Sequence, residues 1–91
     1  MLELNLRKFS ERNGLTCKEA NGVLTIIAGD MILKNNKEIL EILTPNISIT
    51  IRGKKSEVGE NYLKIDCERG YFKLIKSKAG GIKAIFKEGI A

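Results

Sequence analysis

The 91-residue chain carries 16 basic and 11 acidic side chains, for a formal charge of +5, with two Cys and no His. That length leaves room for one small domain over residues 1–91, because a chain this short buries only about two thirds of its unfolded surface. Apolar residues at 43% and charged residues at 30%, with a single Pro, form a globular balance that excludes long disordered segments.

In chain order, residues 2–13, LELNLRKFSERN, place Leu2, Leu6 and Phe9 at helical spacing, and Gly14 follows where a helix commonly ends in a left-handed residue. They predict a short N-terminal amphipathic helix. LTCKEA and VLTIIA flank Asn21-Gly22, the strongest short hairpin signal because both turn residues tolerate positive φ, and strands are expected at about 15–20 and 23–28. Gly29-Asp30 punctuates the second strand. MILKNNKEILEILTP reads in two ways. Asn35 with Glu38 resembles a capping box, and Ile39, Leu40, Ile42 and Leu43 have helical spacing before Pro45, which predicts a second short helix over 36–43. The alternative is a hairpin turned at Asn35-Asn36.

NISITIR alternates Ile47, Ile49 and Ile51 with Ser48, Thr50 and Arg52, as a strand with one buried face does. GKKSEVGEN, residues 53–61, reads as a polar loop and the most mobile segment. YLKID and YFKLIKSK form a hairpin about Gly70, and Gly80-Gly81 turns the chain into IKAIFK. The last strand is expected to end near Lys87, leaving Gly89–Ala91 as a frayed tail. Connections this short favour antiparallel pairing over βαβ crossovers. The expected fold class is α+β: a twisted antiparallel meander with helical cover on one face, with a small closed β barrel as the alternative.

The last hairpin carries the functional expectation. A two-residue Gly80-Gly81 turn would set Lys78 opposite Lys83, Lys76 opposite Ile85, Ile75 opposite Phe86 and Lys73 opposite Glu88. One face would then be core, with Ile75, Ala79, Ile82, Ala84 and Phe86. The other would be a binding face of Lys76, Lys78, Lys83 and Lys87 around Phe72, Leu74 and Ile85, with Arg52, Lys54 and Lys55 as an extension. All of the excess charge lies beyond Pro45: six basic and six acidic residues precede Asn46, and ten against five follow. A basic half suits an acidic protein, nucleic acid or an anionic surface, and suits plain solubility and the blunting of an exposed sheet equally well.

Chemistry is poorly supplied. Without His the commonest general base is missing, and two cysteines, Cys17 and Cys67, make neither a disulfide scaffold nor a zinc site. They are expected to be buried or half-buried reduced thiols. No Walker spacing or paired-carboxylate motif is present, so no enzyme, cofactor or metal is expected. Five aromatic residues, Phe9, Tyr62, Tyr71, Phe72 and Phe86, offer little for base stacking, so nucleic acid, if bound, would be held through its backbone. No apolar run approaches the roughly 20 residues that cross a bilayer, and the first residues lack a signal peptide's apolar region. The expectation is a cytoplasmic binding or assembly module. A protein partner or self-association is favoured, sequence-independent nucleic-acid binding is the alternative, and a small enzyme is a distant third.

YLKI, then Gly70, then the run ending GGIKAIF is similar to the closing strands of the small YabP-type sporulation proteins, where an apolar-x-apolar strand and a glycine precede a last strand ending in an aromatic. The resemblance spans Tyr62 to Phe86, requires several inserted residues before Gly81, and implies a β meander without locating a site.

Overall fold

In the computed structural model, which describes residues 1–88, helix α1 (Leu2–Arg12) is followed by two antiparallel meanders. The first sheet runs β1 (Thr16–Ala20), β2 (Val23–Ala28), β3 (Met31–Asn36), β4 (Ile39–Leu43) and β5 (Ser48–Arg52), each strand beside its sequence neighbour. The second runs β6 (Lys55–Val58), β7 (Tyr62–Cys67), β8 (Gly70–Lys76) and β9 (Ile82–Glu88) in the same manner. The α+β expectation holds, as two sheets instead of one.

Helix α1 forms where its spacing predicts, and its buried stripe is Leu6 and Phe9, both fully buried. It stops at Asn13, whose backbone N–H and side-chain Nδ2 both donate to Phe9 O, and Gly14 turns the chain at φ 65°. The hairpin at Asn21-Gly22 also forms as predicted, with φ of 53° and 80° at the two residues. Both positive values are what a tight turn between right-twisted strands requires.

The expected helix over 36–43 is not formed. Those residues are the turn and second strand of the β3–β4 hairpin, with Asn36 paired to Ile39 and Lys37, at φ 56°, taking the left-handed position. The turn is Lys37-Glu38, two residues beyond Asn35-Asn36. Asn35 is buried, and its Nδ2 donates to Lys37 O and Ile39 O, so the amide bridges the turn from inside. Leu40 and Ile42 then face the core while Ile39, Glu41 and Leu43 alternate outward. A two-turn helix in this segment would forgo the ladders that β3 and β5 supply on either side.

The core lies between the sheets. Leu24 and Ile26 on β2, Leu33 on β3, Leu40 and Ile42 on β4 meet Leu63 and Ile65 on β7 and Phe72 and Leu74 on β8, with Leu6 and Phe9 of the helix. Both thiols are free and half-buried against this core, as expected.

Residues 53–61 are not a loop throughout, because β6 lies inside them. Gly53 N–H donates to Glu38 O in the first sheet, and Lys54 N–H donates to Asp66 O in the second, so two residues carry the chain around the corner. A Cβ on Gly53 would meet Ile65 Cγ2 at 3.0 Å and Leu2 Cδ2 at 3.2 Å, so a larger residue at the corner would press on both side chains. The helix guards the edge of β6: Asn5 Nδ2 donates to Ser56 O at 3.2 Å and Ser56 Oγ at 2.8 Å. Among the described residues no ladder joins the two sheets, so the closed barrel is not formed either. The tail expected at Gly89–Ala91 lies outside the described residues.

Candidate functional site

The second sheet is where the excess charge collects, and its register decides which lysines share a face. Val58, Leu63, Ile65, Phe72 and Leu74 belong to the core or pack against it, so the alternate residues of β6, β7 and β8 look outward. Three rows cross this outer face. Lys55, Asp66, Tyr71 and Lys87 form one; Glu57, Lys64, Lys73 and Ile85 form the next; Tyr62, Ile75 and Lys83 form the third.

The β8–β9 register differs from the expected one. The connection is not a two-residue Gly80-Gly81 turn but a five-residue loop, in which Ser77 N–H donates to Gly81 O and Gly80 N–H to Ser77 O, with Gly80 at φ 103°. Lys76 therefore pairs with Ile82, Ile75 with Lys83, Leu74 with Ala84, Lys73 with Ile85 and Phe72 with Phe86. This is three residues from the expected pairing, and an odd slip moves every side chain of one strand to the other face of its partner. The cause is β7: Leu63 against Leu74 and Ile65 against Phe72 fix the inner face of β8, whatever the next turn prefers.

The expected binding face is thus divided. Phe72 and Leu74 are core residues. Lys76 lies on the inner side of β8, at the sheet's end beside Ile82, and Lys78 is in the exposed loop and opposes nothing across the ladder. Lys83, Lys87 and Ile85 remain together on the outer face, while the expected pairs Lys78 with Lys83 and Lys73 with Glu88 are not formed. Ile75, expected in the core, faces outward; Ala84 and Phe86 take the inner side yet are exposed, Phe86 at 45%. Of the extension, Lys55 joins the outer rows, Lys54 is in the corner, and Arg52 belongs to the other sheet, where it pairs with Glu38 at 2.8 Å.

Lys64, Lys73, Tyr62 and Tyr71 were missed by sequence reasoning, although YLKID carries the signal: with Leu63 and Ile65 inward, Tyr62, Lys64 and Asp66 must face out. Lys64 stands opposite Lys73, a like-charge pair that each relieves by leaning along the diagonal. Lys64 Nζ sits 4.9 Å from the centre of the Tyr71 ring and 3.9 Å from Asp66, and Lys73 Nζ sits 5.1 Å from the Tyr62 ring. Tyr62 also donates its hydroxyl to Glu57 at 3.2 Å, and that carboxylate, through its charge and then its hydrogen bond, holds the phenol above its ordinary pKa. Cys67 is raised as well, by burial and then by the charge of Asp66, so it is a weaker nucleophile than a free thiol.

The edge of this sheet is the second feature. Alternation from the Ser77–Gly81 bond makes Lys83, Ile85 and Lys87 the residues that bond to β8. Ile82, Ala84 and Phe86 point their backbone N–H and C=O groups away from it, and among the described residues β9 is hydrogen-bonded to β8 alone. The other terminal strands differ. On β5 the corresponding residues are Ser48, Thr50 and Arg52; on β6, Ser56 is met by Asn5; β1 is tied to the helix by the Arg7–Glu19 ion pair. Among the described residues, β9 is the terminal strand that combines an open backbone edge with apolar side chains at the outward positions.

Two shallow cavities accompany these features. One of about 350 Å³ lies at the corner among Leu2, Lys37, Gly53 and Lys55, and one of about 400 Å³ lies over Val23, Ile39 and Thr50 on the first sheet. Among the described residues no group of three or more His, Cys, Asp or Glu side chains is gathered as a metal site would need, and no helix is long and apolar enough to cross a membrane. Comparison with protein-family models, curated proteins and solved structures finds no match.

Proposed function

We propose that this chain is a non-enzymatic binding module, and that its partner is a protein held on the basic outer face of the β6–β9 sheet. The observation that carries this reading is the gathering of Lys55, Lys64, Lys73, Lys83 and Lys87 on one sheet face, against Glu57 and Asp66 alone, with Tyr62, Tyr71, Ile75 and Ile85 between them. Mixed aromatic, aliphatic and basic surface is the composition of protein contacts. An acidic partner would be steered by the lysines and anchored by the rings.

Sequence-independent nucleic-acid binding is the second reading, favoured by the same lysines. Against it, each tyrosine ring of the face already has a lysine ammonium over it, so stacking on bases would have to displace that contact.

Fluorescence anisotropy separates the two. Labelled poly-L-glutamate should bind, and should lose at least about tenfold in affinity in the Lys64→Glu, Lys73→Glu double variant, with no loss in a Lys18→Glu, Lys34→Glu variant on the first sheet. Equal weakening by both pairs would refute a localised face. Tighter binding of an oligodeoxythymidine, steeply weakened by salt and by the first pair alone, would transfer the proposal to nucleic acid.

A further inference from the structure

Resting on that reading, we infer that the free edge of β9 receives an extended segment of the partner, added as a tenth strand, in which acidic residues alternate with apolar ones. Three observations converge on this occupant. Among the described residues, Ile82, Ala84 and Phe86 present unpaired backbone donors and acceptors along one line, the template on which strand addition operates. The side chains of those same residues lie on the inner side, where Phe86 is 45% exposed opposite the buried Phe72. Lys83 and Lys87, four residues apart, rise on the outer side of the same edge.

A strand laid against β9 places alternate side chains on these two unlike sides. Those on the inner side extend the core past Phe72 and cover Phe86 and Ala84, which calls for apolar residues. Those on the outer side stand beside Lys83 and Lys87, which calls for carboxylates. A second copy of the chain fits less well. Antiparallel pairing of β9 with its own copy sets the two lysine faces side by side on one surface, so Lys83, Lys87 and their counterparts crowd a single seam.

The probe is a short synthetic peptide alternating glutamate with valine, added to the ¹⁵N-labelled full chain. The amides of Ala84 and Phe86, which bond to nothing on β8, should gain protection from hydrogen exchange, whereas those of Lys83, Ile85 and Lys87 are protected beforehand. Ala84→Pro removes one outward donor without removing a bond to β8, and should weaken peptide binding about tenfold or more. Should that variant fold poorly, the Lys83→Glu, Lys87→Glu pair decides instead: it should reject the glutamate peptide and accept one alternating lysine with valine.

Peptide binding that leaves Ala84 and Phe86 unprotected while shifting Lys64 and Lys73 would overturn the edge site and leave the basic face standing. Failure of this peptide, with poly-L-glutamate still bound, would do the same. Loss of both ligands would remove the face as well. Protection of the β9 amides that grows with protein concentration and needs no peptide would replace the acidic strand with a second copy.

Discussion

The two sheets share a construction and differ in what they show to solvent. Residues 16–52, which build the first sheet, carry four basic and four acidic side chains; residues 53–88, which build the second, carry nine and five. The first ends in strands that are tied to the helix or polar at their outward positions. The second has one edge closed by Asn5 and the other left open beneath Phe86. A meander of hairpins needs only turns and an alternating pattern to form. Asymmetry of charge and of edge protection is not required by the fold, and that excess over structural need is what the proposed contact surface rests on.

Phe72 and Phe86 are cross-strand neighbours on one face, so replacing each by Ala sharpens the comparison most. Phe72→Ala should cost about 3–5 kcal/mol in urea unfolding, as a buried ring does, while Phe86→Ala should cost about 1. Equal losses would mean that β9 is covered as β8 is. Asn5→Ala opens the guarded edge: it leaves Ser56 O without its donor and should cost about 1 kcal/mol, with faster exchange at β6. Charge reversal comes next. Lys73→Glu and Lys34→Glu should each stay within about 0.5 kcal/mol of the parent in stability, yet only the first should weaken poly-L-glutamate binding. The smallest effect is chemical: with its thiol raised by burial and Asp66, Cys67 carries less thiolate at a given pH, and alkylation near pH 8 should lag a free cysteine's. An alkylation rate equal to a free cysteine's would place Cys67 outside the protection of the core.

Elements whose signals are local were legible. Leu6 and Phe9 at helical spacing, Asn21-Gly22 between apolar runs, and Ile49 and Ile51 on the inner side of β5 lie where the sequence predicts, whereas Ile47, expected on that same buried face, precedes the strand and is 56% exposed. What failed was decided by neighbours distant in sequence. ILEIL satisfies both periodicities, and only the ladders to β3 and β5, with the Asn35 amide bridging the turn, make it a strand. KSEV looks like loop until the helix lies along it.

The site shows the same division. That the lysines concentrate beyond Pro45 could be counted from the chain, but which of them share a face depended on the register of β9. Paired glycines imitate a two-residue turn, and the longer loop at Ser77–Gly81 satisfies β7's demand that Phe72 and Leu74 be buried. Extending the alternation of YLKID across the Glu68-Arg69 turn would have identified Tyr71, Lys73 and Ile75 as the outer residues of β8.

The alignment of the last two strands can be measured directly from cross-strand Hα–Hα contacts in the NOESY spectrum of the folded chain, because opposed residues in non-hydrogen-bonded pairs approach most closely. Contacts are expected from Leu74 to Ala84 and from Phe72 to Phe86. Contacts from Lys76 to Ile85 and from Lys78 to Lys83 would contradict this register, returning Ile75 to the interior and dissolving both the basic face and the apolar edge.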